Sequence, residues 1–558
     1  MRLAELSGAQ VQAWRFDWRR SQDQRHVDAG EAPAAHRVVV VGAGPVGLSL
    51  AIDLAQRGQP VLLIDADQEL SHGSRAICFA QRTLQIWDRL GVGDACVERG
   101  VRWQVGKVFL GADLLYRFDL QPEPGHERPA FINLQQYYAE AALVERAQGL
   151  GELDLRWGER VVGVQPSGDG VRLHIQTPQG EYAVDAEYVV ACDGARSGVR
   201  ALLGLESQGQ VFHDRFLIAD VHMRAAFPAE RWFWFDPPFH PGKSVLLHRQ
   251  PDDVWRIDFQ LGWDADPEVE KRPERIVPRV QAMLEAQAAA TGGIVPPFEL
   301  AWASVYTFAC QRMAAFRHGR VFFAGDAAHG VSPFGARGAN SGVQDAENLA
   351  WKLAAALSGQ AGDALLASYG GEREPAADEN LAHSTRSTDF ITPKSAASRV
   401  LRDAALALAR EHAFARALVN SGRLSTPTCH GDSPLNSADD DDFTSAMRPG
   451  APALDAPLRR GREDGWLLRA LGADFTLLVW GSAPAGCDGL PLTLLVVDAS
   501  NDSQGLIARR YDMRPGSAYL LRPDQHVCAR WRHPTPTLVR AALARARGQS
   551  TGGHDGQP

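Results

Sequence analysis

The turn between Val41 and Leu48 is the feature that most constrains the fold of this chain. It follows a run of four valines, Val38–Val41, and reads Gly-Ala-Gly-Pro-Val-Gly. The valines predict a buried strand, residues 48–56 predict a helix, and Val61–Ile64 predict a second strand. Strand, turn, helix and strand in this order form the βαβ unit of a parallel sheet, so the sequence predicts an α/β protein.

Each glycine of this turn has a mechanical role in dinucleotide binding. Gly42 makes the tight turn, Gly44 lets backbone amides approach a pyrophosphate, and Gly47 lets the helix pack on the strand; Pro45 belongs to the same predicted cofactor-binding turn. Asp65 closes the next strand, where its carboxylate can accept hydrogen bonds from ribose hydroxyls. The sequence therefore predicts a dinucleotide ligand and leaves FAD and NAD open.

Two later stretches place carboxylates at the ends of predicted strands. Asp193 follows the run Tyr188–Cys192, and Asp326 follows Arg320–Ala324. Ligands of open α/β sheets bind at the carboxyl ends of the strands. After Asp326, a glycine-rich loop opens a helix whose free amides, at Gly338 to Asn340, can face an anion.

Composition excludes several classes of partner. The 558 residues carry 58 Lys and Arg against 67 Asp and Glu, a formal charge of −9, so we expect no nucleic acid and no anionic membrane recognised through charge. No apolar run reaches the ~18 residues of a membrane span, and the first 35 residues lack the pattern of a signal peptide. The seven scattered cysteines form no metal-binding cluster, so we expect no metal, reduced thiols and a cytoplasmic location.

The three stretches in this order resemble the class A flavoprotein monooxygenases, the p-hydroxybenzoate hydroxylase-like enzymes, over about residues 37–400. Three shorter segments are similar to the longer phenolic hydroxylases, among them 3-(3-hydroxyphenyl)propionate hydroxylase and phenol hydroxylase: Ser74–Ile77, Trp302–Tyr306 and Tyr519–Val527. The resemblance implies FAD as cofactor, NADPH or NADH as co-substrate, and O2. It also implies hydroxylation of a small phenolic substrate through a flavin C4a-hydroperoxide.

The resemblance assigns most of the predicted cofactor contacts. It implies that Asp65 holds the adenosine ribose, that Gly325 and Asp326 hold the ribityl chain, and that Asp193 serves both FAD and the nicotinamide. Arg75 and Gln136 look like further cofactor contacts. The backbone amides at a helix amino terminus stabilise the anionic reduced flavin, and these are predicted to be the amides of Gly338, Ala339 and Asn340.

Three residues are predicted to act in catalysis. Pro333 shapes the turn near the flavin, Arg337 adds positive charge, and Tyr306 matches a tyrosine that some phenol hydroxylases place near substrate. Two of them have a plainer alternative: Arg337 also suits a mobile surface loop, and Tyr306 also suits a half-buried strand. The acid that phenol hydroxylase carries before its Arg-Thr-Leu segment is missing before Arg82, so the group that deprotonates the substrate is not identified. Arg249 and Arg256 are candidates for contact with a substrate carboxylate.

The predicted fold is a Rossmann-like FAD-binding domain with an antiparallel-sheet substrate domain. The resemblance to the longer phenolic hydroxylases further implies a C-terminal thioredoxin-like domain, with a role in packing or in contact within a homodimer. The predicted boundaries are 1–35 (N-terminal extension), 36–204 and 311–424 (the two parts of the FAD-binding domain, with helices), 205–310 (substrate domain), 425–455 (linker), 456–545 (thioredoxin-like domain) and 546–558 (tail).

Other flavin chemistry is the alternative function. Trp232-Phe-Trp234 resembles a motif of flavin-dependent halogenases, although the one lysine between the glycine turn and this motif, Lys107, has different surroundings from the lysine of that family. Epoxidation and a non-catalytic flavoprotein are the remaining alternatives.

Overall fold

The computed structural model describes residues 6–73, 75–419 and 424–549. Its first sheet is built around strand Ala34–Val41, which runs parallel to Val61–Asp65 on one side and to Gly180–Ala191 on the other. The four valines are buried, as a central strand covered on both faces requires. The α/β class is therefore confirmed. The further strands of this sheet are Leu153–Trp157, Arg160–Pro166, Val171–Thr177, Arg317–His318 and Val321–Phe323.

The second sheet is mixed, which corrects the prediction that it is antiparallel. Strand Arg231–Phe235 pairs in parallel with Val105–Leu110, a strand from a distant part of the chain that sequence periodicity could not assign to this sheet. The other pairs are antiparallel. The strands follow the order His329–Gly330, Phe298–Met313, Ser207–Met223, Val254–Gln260, Ser244–Arg249, Arg231–Phe235, Val105–Leu110 and Asp113–Asp119.

The two faces of the second sheet differ in character because successive side chains of a strand point to opposite sides. Trp232 and Trp234 belong to an apolar core with helix Pro273–Thr291. The alternate positions Arg231, Phe233 and Phe235 line a pocket on the other face. We call this the inner face, because it looks toward the loop at residues 333–337.

Helices cover the sheets and connect them. Helix Pro45–Gln56 packs between Gln136–Gln148 and Gly338–Leu357, and the chain continues through three further helices, Asp363–Ile391, Ala396–Ala409 and Ala413–Val419. None of the helices in the described ranges is both long enough and apolar enough to cross a bilayer. Smaller elements are the sheet of Cys78–Ala80, Val101–Trp103 and Phe131–Asn133, and the helices Gln81–Leu90, Gly93–Arg99, Gly198–Leu202 and Pro267–Glu270.

The N-terminal extension is a packed arm rather than a free tail. It contains helices Gly8–Gln12 and Gln22–Asp28. Between them, the ring of Phe16 stacks on Trp157 with centroids 4.2 Å apart. Asp23 pairs with Arg156 at 2.7 Å. Both contacts lie on the edge strand of the first sheet.

The C-terminal unit has a four-stranded sheet of its own. Its strands follow the order Thr493–Val497, Thr476–Trp480, Ala518–Leu521 and Val527–Trp531, with a hairpin of Pro457–Arg460 and Glu463–Trp466 and helices Leu467–Ala470, Leu506–Tyr511 and Pro536–Ala546. The segment 425–455, predicted as a linker, forms no helix or strand. It is nevertheless packed, since Leu435 and Met447 are buried and Asp439 pairs with Arg530 at 2.7 Å.

Candidate functional site

The first glycine turn is closed by contacts that exclude side chains. Gly42 has φ +104°, and a β-carbon there would lie 2.6 Å from the Cys192 carbonyl oxygen. A β-carbon on Gly47 would lie 1.9 Å from the Gly42 carbonyl oxygen. Both positions therefore require glycine for packing. A β-carbon on Gly44, in contrast, would meet nothing within 4 Å, so this position faces a groove.

The groove begins at a helix amino terminus. Gly44 is the N-cap and Pro45 opens the first turn, and no side chain caps the helix. Uncapped amides carry the positive end of the helix dipole and bind anions. The space beside Gly44 is open at this uncapped helix end, so the local geometry fits a diphosphate.

Asp65 is tied to the glycine turn. Its carboxylate accepts hydrogen bonds from the amides of Ala43 and Asp67. Burial raises the pKa of the carboxyl and outweighs these two hydrogen bonds, which lower it. The side chain stays half-buried at the end of its strand.

Asp326 lies across the groove from the first turn. Its side chain is exposed whereas Gly325 and Ala327 beside it are buried, and a β-carbon on Gly338 would come within 3.8 Å of its Oδ1. Although the carboxyl reaches solvent in the groove, the surrounding protein partly desolvates it and so raises its pKa. The charges of His329 and Arg75 lower the pKa. Asp326 thus faces the same groove as Arg75.

Three buried residues, Asp345, His329 and Arg373, hold the Asp326 turn in place, and sequence reasoning missed the roles of Asp345 and Arg373. Asp345 accepts a hydrogen bond from the Gly325 amide at 3.0 Å and pairs with His329 at 2.7 Å. Arg373 donates from Nε to the other Asp345 oxygen at 2.7 Å. Asp345 lies within the third sequence stretch, but Arg373 is on a later helix and no local pattern points to it.

The helix Gly338–Leu357 presents its amino terminus to the groove without a side-chain cap. The amides of Gly338, Ala339 and Asn340 therefore have no capping side chain as acceptor at this end. The Asn340 side chain is used for packing: it accepts from the Ala80 amide at 2.8 Å and donates to the Cys78 carbonyl at 2.9 Å.

Arg337 is buried rather than on the protein surface, which removes the alternative of a mobile surface residue. Its Nη1 donates to Asn380 Oδ1 at 3.3 Å. The loop before it is strained, since Gly335 has φ +113° and Ala336 has φ +53°. Pro333, at the start of this loop, is exposed.

The remaining predicted cofactor contacts surround the same groove. Gln136 accepts from the Ala76 amide at 3.1 Å and so fixes the segment that carries the exposed Arg75. Asp193 lies beside Gly42 and accepts from the Val199 amide at 3.0 Å. Its other oxygen, Oδ1, is buried and has no hydrogen-bond partner in the described ranges.

An aromatic pocket lies next to Gly335, on the inner face of the second sheet. The free space there, counting the part that opens to solvent, is about 490 Å³. Its lining comprises four phenylalanines, two cations and several small or aliphatic residues: Phe118, Phe233, Phe235, Phe334, Lys107, Arg231, Val108, Gly335, Ser387, Ile391 and Val419. Such a pocket suits a flat, apolar ring.

Tyr306 lies near this pocket, on the strand next to Phe216. The two residues pair in register, and the Tyr306 ring is 6.2 Å from Phe216, which in turn packs against Phe334 at 4.7 Å. Burial raises the pKa of the phenol well above 10, with a further contribution from the charge of Asp258. Tyr306 therefore stays protonated, and its hydroxyl keeps a proton that it can donate in a hydrogen bond.

The arginine and lysine candidates are mostly occupied. Arg256 pairs with Asp220 at 2.9 Å, and both are buried. Arg249 is half-exposed near Asp253. Lys107 pairs with Glu230 at 2.7 Å, and the tryptophans of the halogenase-like motif pack in the core of the other face.

Comparison with known proteins decides the family. Residues 35–384 match the sequence model of a protein family that is described as an FAD binding domain. The chain belongs to the class A flavoprotein aromatic monooxygenases. It is 31% identical to 6-methylpretetramide 4-monooxygenase of Streptomyces rimosus over 534 residues, which cover 91% of this chain and 93% of that protein.

Two further relatives agree with this family. The monooxygenase is 30% identical to 3-(3-hydroxy-phenyl)propionate/3-hydroxycinnamic acid hydroxylase of Mycolicibacterium smegmatis, over 67% of this chain and 64% of that protein. A crystal structure of aklavinone-11 hydroxylase with FAD and aklavinone superposes with a TM-score of 0.72 at 26% identity, over 93% of this chain and 100% of that chain.

The groove of this monooxygenase fits FAD on its own geometry. The open position at Gly44, the two uncapped helix termini and the exposed Asp326 match a ligand with a diphosphate, a polyol and an anionic ring edge. The protein is an FAD-dependent enzyme that uses NAD(P)H as co-substrate. When bound, FAD supplies the redox chemistry by which O2 is activated.

Proposed function

We propose that this monooxygenase hydroxylates a phenolic ring that lies in the aromatic pocket beside Gly335. The observation that carries the proposal is the position of that pocket: four phenylalanines enclose it, and it adjoins the loop that leads into helix Gly338–Leu357. Relatives named as hydroxylases of 3-(3-hydroxyphenyl)propionate and resorcinol support a phenolic substrate.

The proposed roles of the cofactor residues follow from their places around the groove. Gly42, Gly44, Pro45 and Gly47 receive the diphosphate, and Asp65 the adenosine ribose. Gly325 and Asp326 bind the ribityl chain, while Arg75, Gln136 and Asp193 complete the cofactor site. The amides of Gly338, Ala339 and Asn340 stabilise the anionic edge of the reduced flavin, because they form the amino terminus of a helix that no side chain caps.

The proposed catalytic residues act on the substrate side. The Tyr306 hydroxyl donates a hydrogen bond to the ring hydroxyl of the substrate. Pro333 shapes the turn at the flavin ring, and the buried guanidinium of Arg337 adds positive charge there. The apolar lining of the pocket disfavours water beside the ring, which protects the activated oxygen from wasteful loss.

The proposal extends to architecture and location. We assign a thioredoxin-like fold to residues 456–545, supported by the four-stranded sheet flanked by helices, with a structural role in packing or in a homodimer. We place the protein in the cytoplasm, since all seven cysteines are free thiols.

The decisive experiment is anaerobic stopped-flow reduction of the bound flavin by NADH and by NADPH, with and without a panel of phenols. Acceleration by one phenol, followed by stoichiometric hydroxylated product in air, is the expected result. Reduction that is equally slow with every phenol would contradict the phenolic assignment. Dependence of product formation on chloride or bromide would favour halogenation, and flavin that neither nicotinamide reduces would favour a non-catalytic flavoprotein.

A further inference from the structure

Two opposite charges on the inner face of the second sheet have no ionic partner among the described residues. Arg231 is 6% exposed and Asp258 is 9% exposed, yet neither forms an ion pair. Asp258 Oδ1 is also buried without a hydrogen-bond partner. Asp220 and Arg256 on the same face are paired at 2.9 Å. Burying an unpaired charge is costly, so a site that keeps two of them is built to receive a ligand.

The geometry brings both groups to the substrate side of the sheet. Arg231 lines the aromatic pocket. Asp258 pairs in register with Leu246, and Leu246 pairs in register with Phe233. One strand therefore separates the strand of Asp258 from the strand that carries Phe233 and Arg231. Arg231 and Asp258 each influence the ionisation of the other and of Tyr306, so the three polar groups share one electrostatic environment.

Asp258 is the best proton acceptor in this environment. Tyr306 remains protonated, and burial raises the pKa of the Cys78 thiol to about 11. Burial and the charges of Arg231 and Arg256 lower the pKa of His248 well below its usual value, which leaves a weak base. Burial raises the pKa of Asp258 to about 6; the charge of Asp220 also raises it, and the charges of Arg256 and Arg231 lower it. Asp258 is therefore ionised at neutral pH and more basic than an ordinary carboxylate.

We propose that Asp258 accepts the proton of the substrate's ring hydroxyl and that Arg231 binds the resulting phenolate oxygen. This inference rests on the proposed function. The phenolic O–H bond breaks, an O–H bond forms on the Asp258 carboxyl, and the negative charge moves from the carboxylate to the phenolate beside the guanidinium. No electron is transferred. The ionised ring is more nucleophilic and reacts faster with an electrophilic oxygen, and the acid missing before Arg82 is replaced by one on the sheet.

The test uses the FAD-loaded protein and three variants, Asp258→Asn, Asp258→Glu and Arg231→Met. Arg172→Met and Asp185→Asn are matched controls, because these two residues form an exposed ion pair on the first sheet, away from the aromatic pocket. Ultraviolet difference spectra report whether a bound phenol with an ordinary pKa is ionised at neutral pH. Wild type, Asp258→Glu and both controls are expected to show the phenolate band, and Asp258→Asn to bind the neutral phenol.

Turnover gives the second reading. Asp258→Asn is expected to slow hydroxylation of the phenol by about 100-fold or more, the usual contribution of a general base. It should act at nearly the wild-type rate on a nitrophenol, which is already ionised at mildly alkaline pH. Arg231→Met is expected to weaken binding of that ionised nitrophenol at least tenfold.

Three outcomes overturn the inference: a phenolate band in Asp258→Asn, equal slowing on the phenol and the nitrophenol, or unchanged nitrophenol affinity in Arg231→Met. Failure of the proposed function looks different, because then wild type itself binds and ionises no phenol. If Asp258→Asn does not fold, loss of the phenolate band in a folded Asp258→Glu variant contradicts the inference as well.

Discussion

Val46 in the first glycine turn lies directly against Gly342 in helix Gly338–Leu357. A β-carbon on Gly342 would be 2.6 Å from Val46 Cγ2 and 3.0 Å from Gly325 Cα. The two halves of the cofactor groove are therefore held at a distance that depends on one missing methyl group. We predict that Gly342→Ala forces the turns apart and weakens FAD binding at least tenfold, as measured by fluorescence titration of the apoprotein.

Gly371→Ala is the matched control for this substitution. Gly371 is also inside a helix, but nothing lies within 4 Å of the position of its β-carbon. Alanine there should raise the unfolding free energy by up to about 1 kcal/mol and leave FAD affinity unchanged. Equal FAD affinity in the two variants would show that the close approach of Val46 and Gly342 does not shape the groove.

Gly44→Ala and Gly47→Ala should separate binding from folding. At Gly44 the added methyl group enters the groove without touching protein, so the apoprotein should melt at or near the wild-type temperature while FAD affinity falls. At Gly47 the same methyl group collides with the Gly42 carbonyl and should lower the melting temperature of the apoprotein itself. Calorimetry of apo and loaded protein measures both. Wild-type FAD affinity in Gly44→Ala would exclude the proposed diphosphate position.

Asp326→Ala should reduce retention of FAD during gel filtration and raise its dissociation constant about tenfold or more, the loss expected for a hydrogen bond to a charged group. Asp363→Ala removes an exposed carboxylate that pairs with Arg317 and should have no effect on FAD. A variant of Asp326 that holds stoichiometric FAD at wild-type affinity would remove this residue from the cofactor site.

Tyr306→Phe should slow hydroxylation while reduction of the flavin by NAD(P)H proceeds at the wild-type rate. Because burial raises the pKa of Tyr306 well above 10, the folded protein keeps the phenol neutral across the working range. Tyr306 therefore contributes no loss of activity as the pH rises toward 10, and the alkaline limb of the pH profile should be identical in the variant. Unchanged product yield, or an alkaline limb that vanishes with the hydroxyl, would contradict the assigned role.

Arg522→Ala tests whether the C-terminal unit is an integral part of the enzyme. Arg522 is fully buried between Asp524 and Glu372, and Glu372 also binds Lys352 of the helix whose other end faces the groove. Removing one member leaves buried carboxylates without their partner, so we predict a loss of about 3–5 kcal/mol in unfolding free energy. Exposed Arg509 pairs with Glu123, and Arg509→Ala should cost less than about 1 kcal/mol in the same denaturation experiment.

The cofactor groove could be predicted from sequence because most of its parts are local. The turn with Gly42, Gly44 and Gly47 encodes its strand, its bend and its helix within a dozen residues. Asp326 and the helix amino terminus at Gly338 likewise belong to one continuous stretch. The sequence does not show that Asp345 and Arg373 support this stretch, since Arg373 lies on another helix.

The substrate side could be predicted far less well, because its residues meet only through long-range strand pairing. Arg231 reaches the pocket because its strand pairs in parallel with Val105–Leu110. Sequence reasoning selected Arg249 and Arg256 instead, which have the right chemistry but face solvent and Asp220, respectively. The register of five strands decides which arginine on this face pairs with a carboxylate and which does not. No single segment of the sequence encodes that register.

The N-terminal arm packs on the edge strand of the first sheet. Leu153–Trp157 is the last strand on its side, and Phe16 and Asp23 contact it through Trp157 and Arg156. Unpaired edge strands invite pairing with other chains, and an arm that lies over such a strand opposes that pairing. During synthesis the arm leaves the ribosome before the strand that it covers, and it has no surface to pack on until Trp157 follows, about 140 residues later. The arm is thus made early but reaches its place late, and until then the nascent chain carries an uncovered edge.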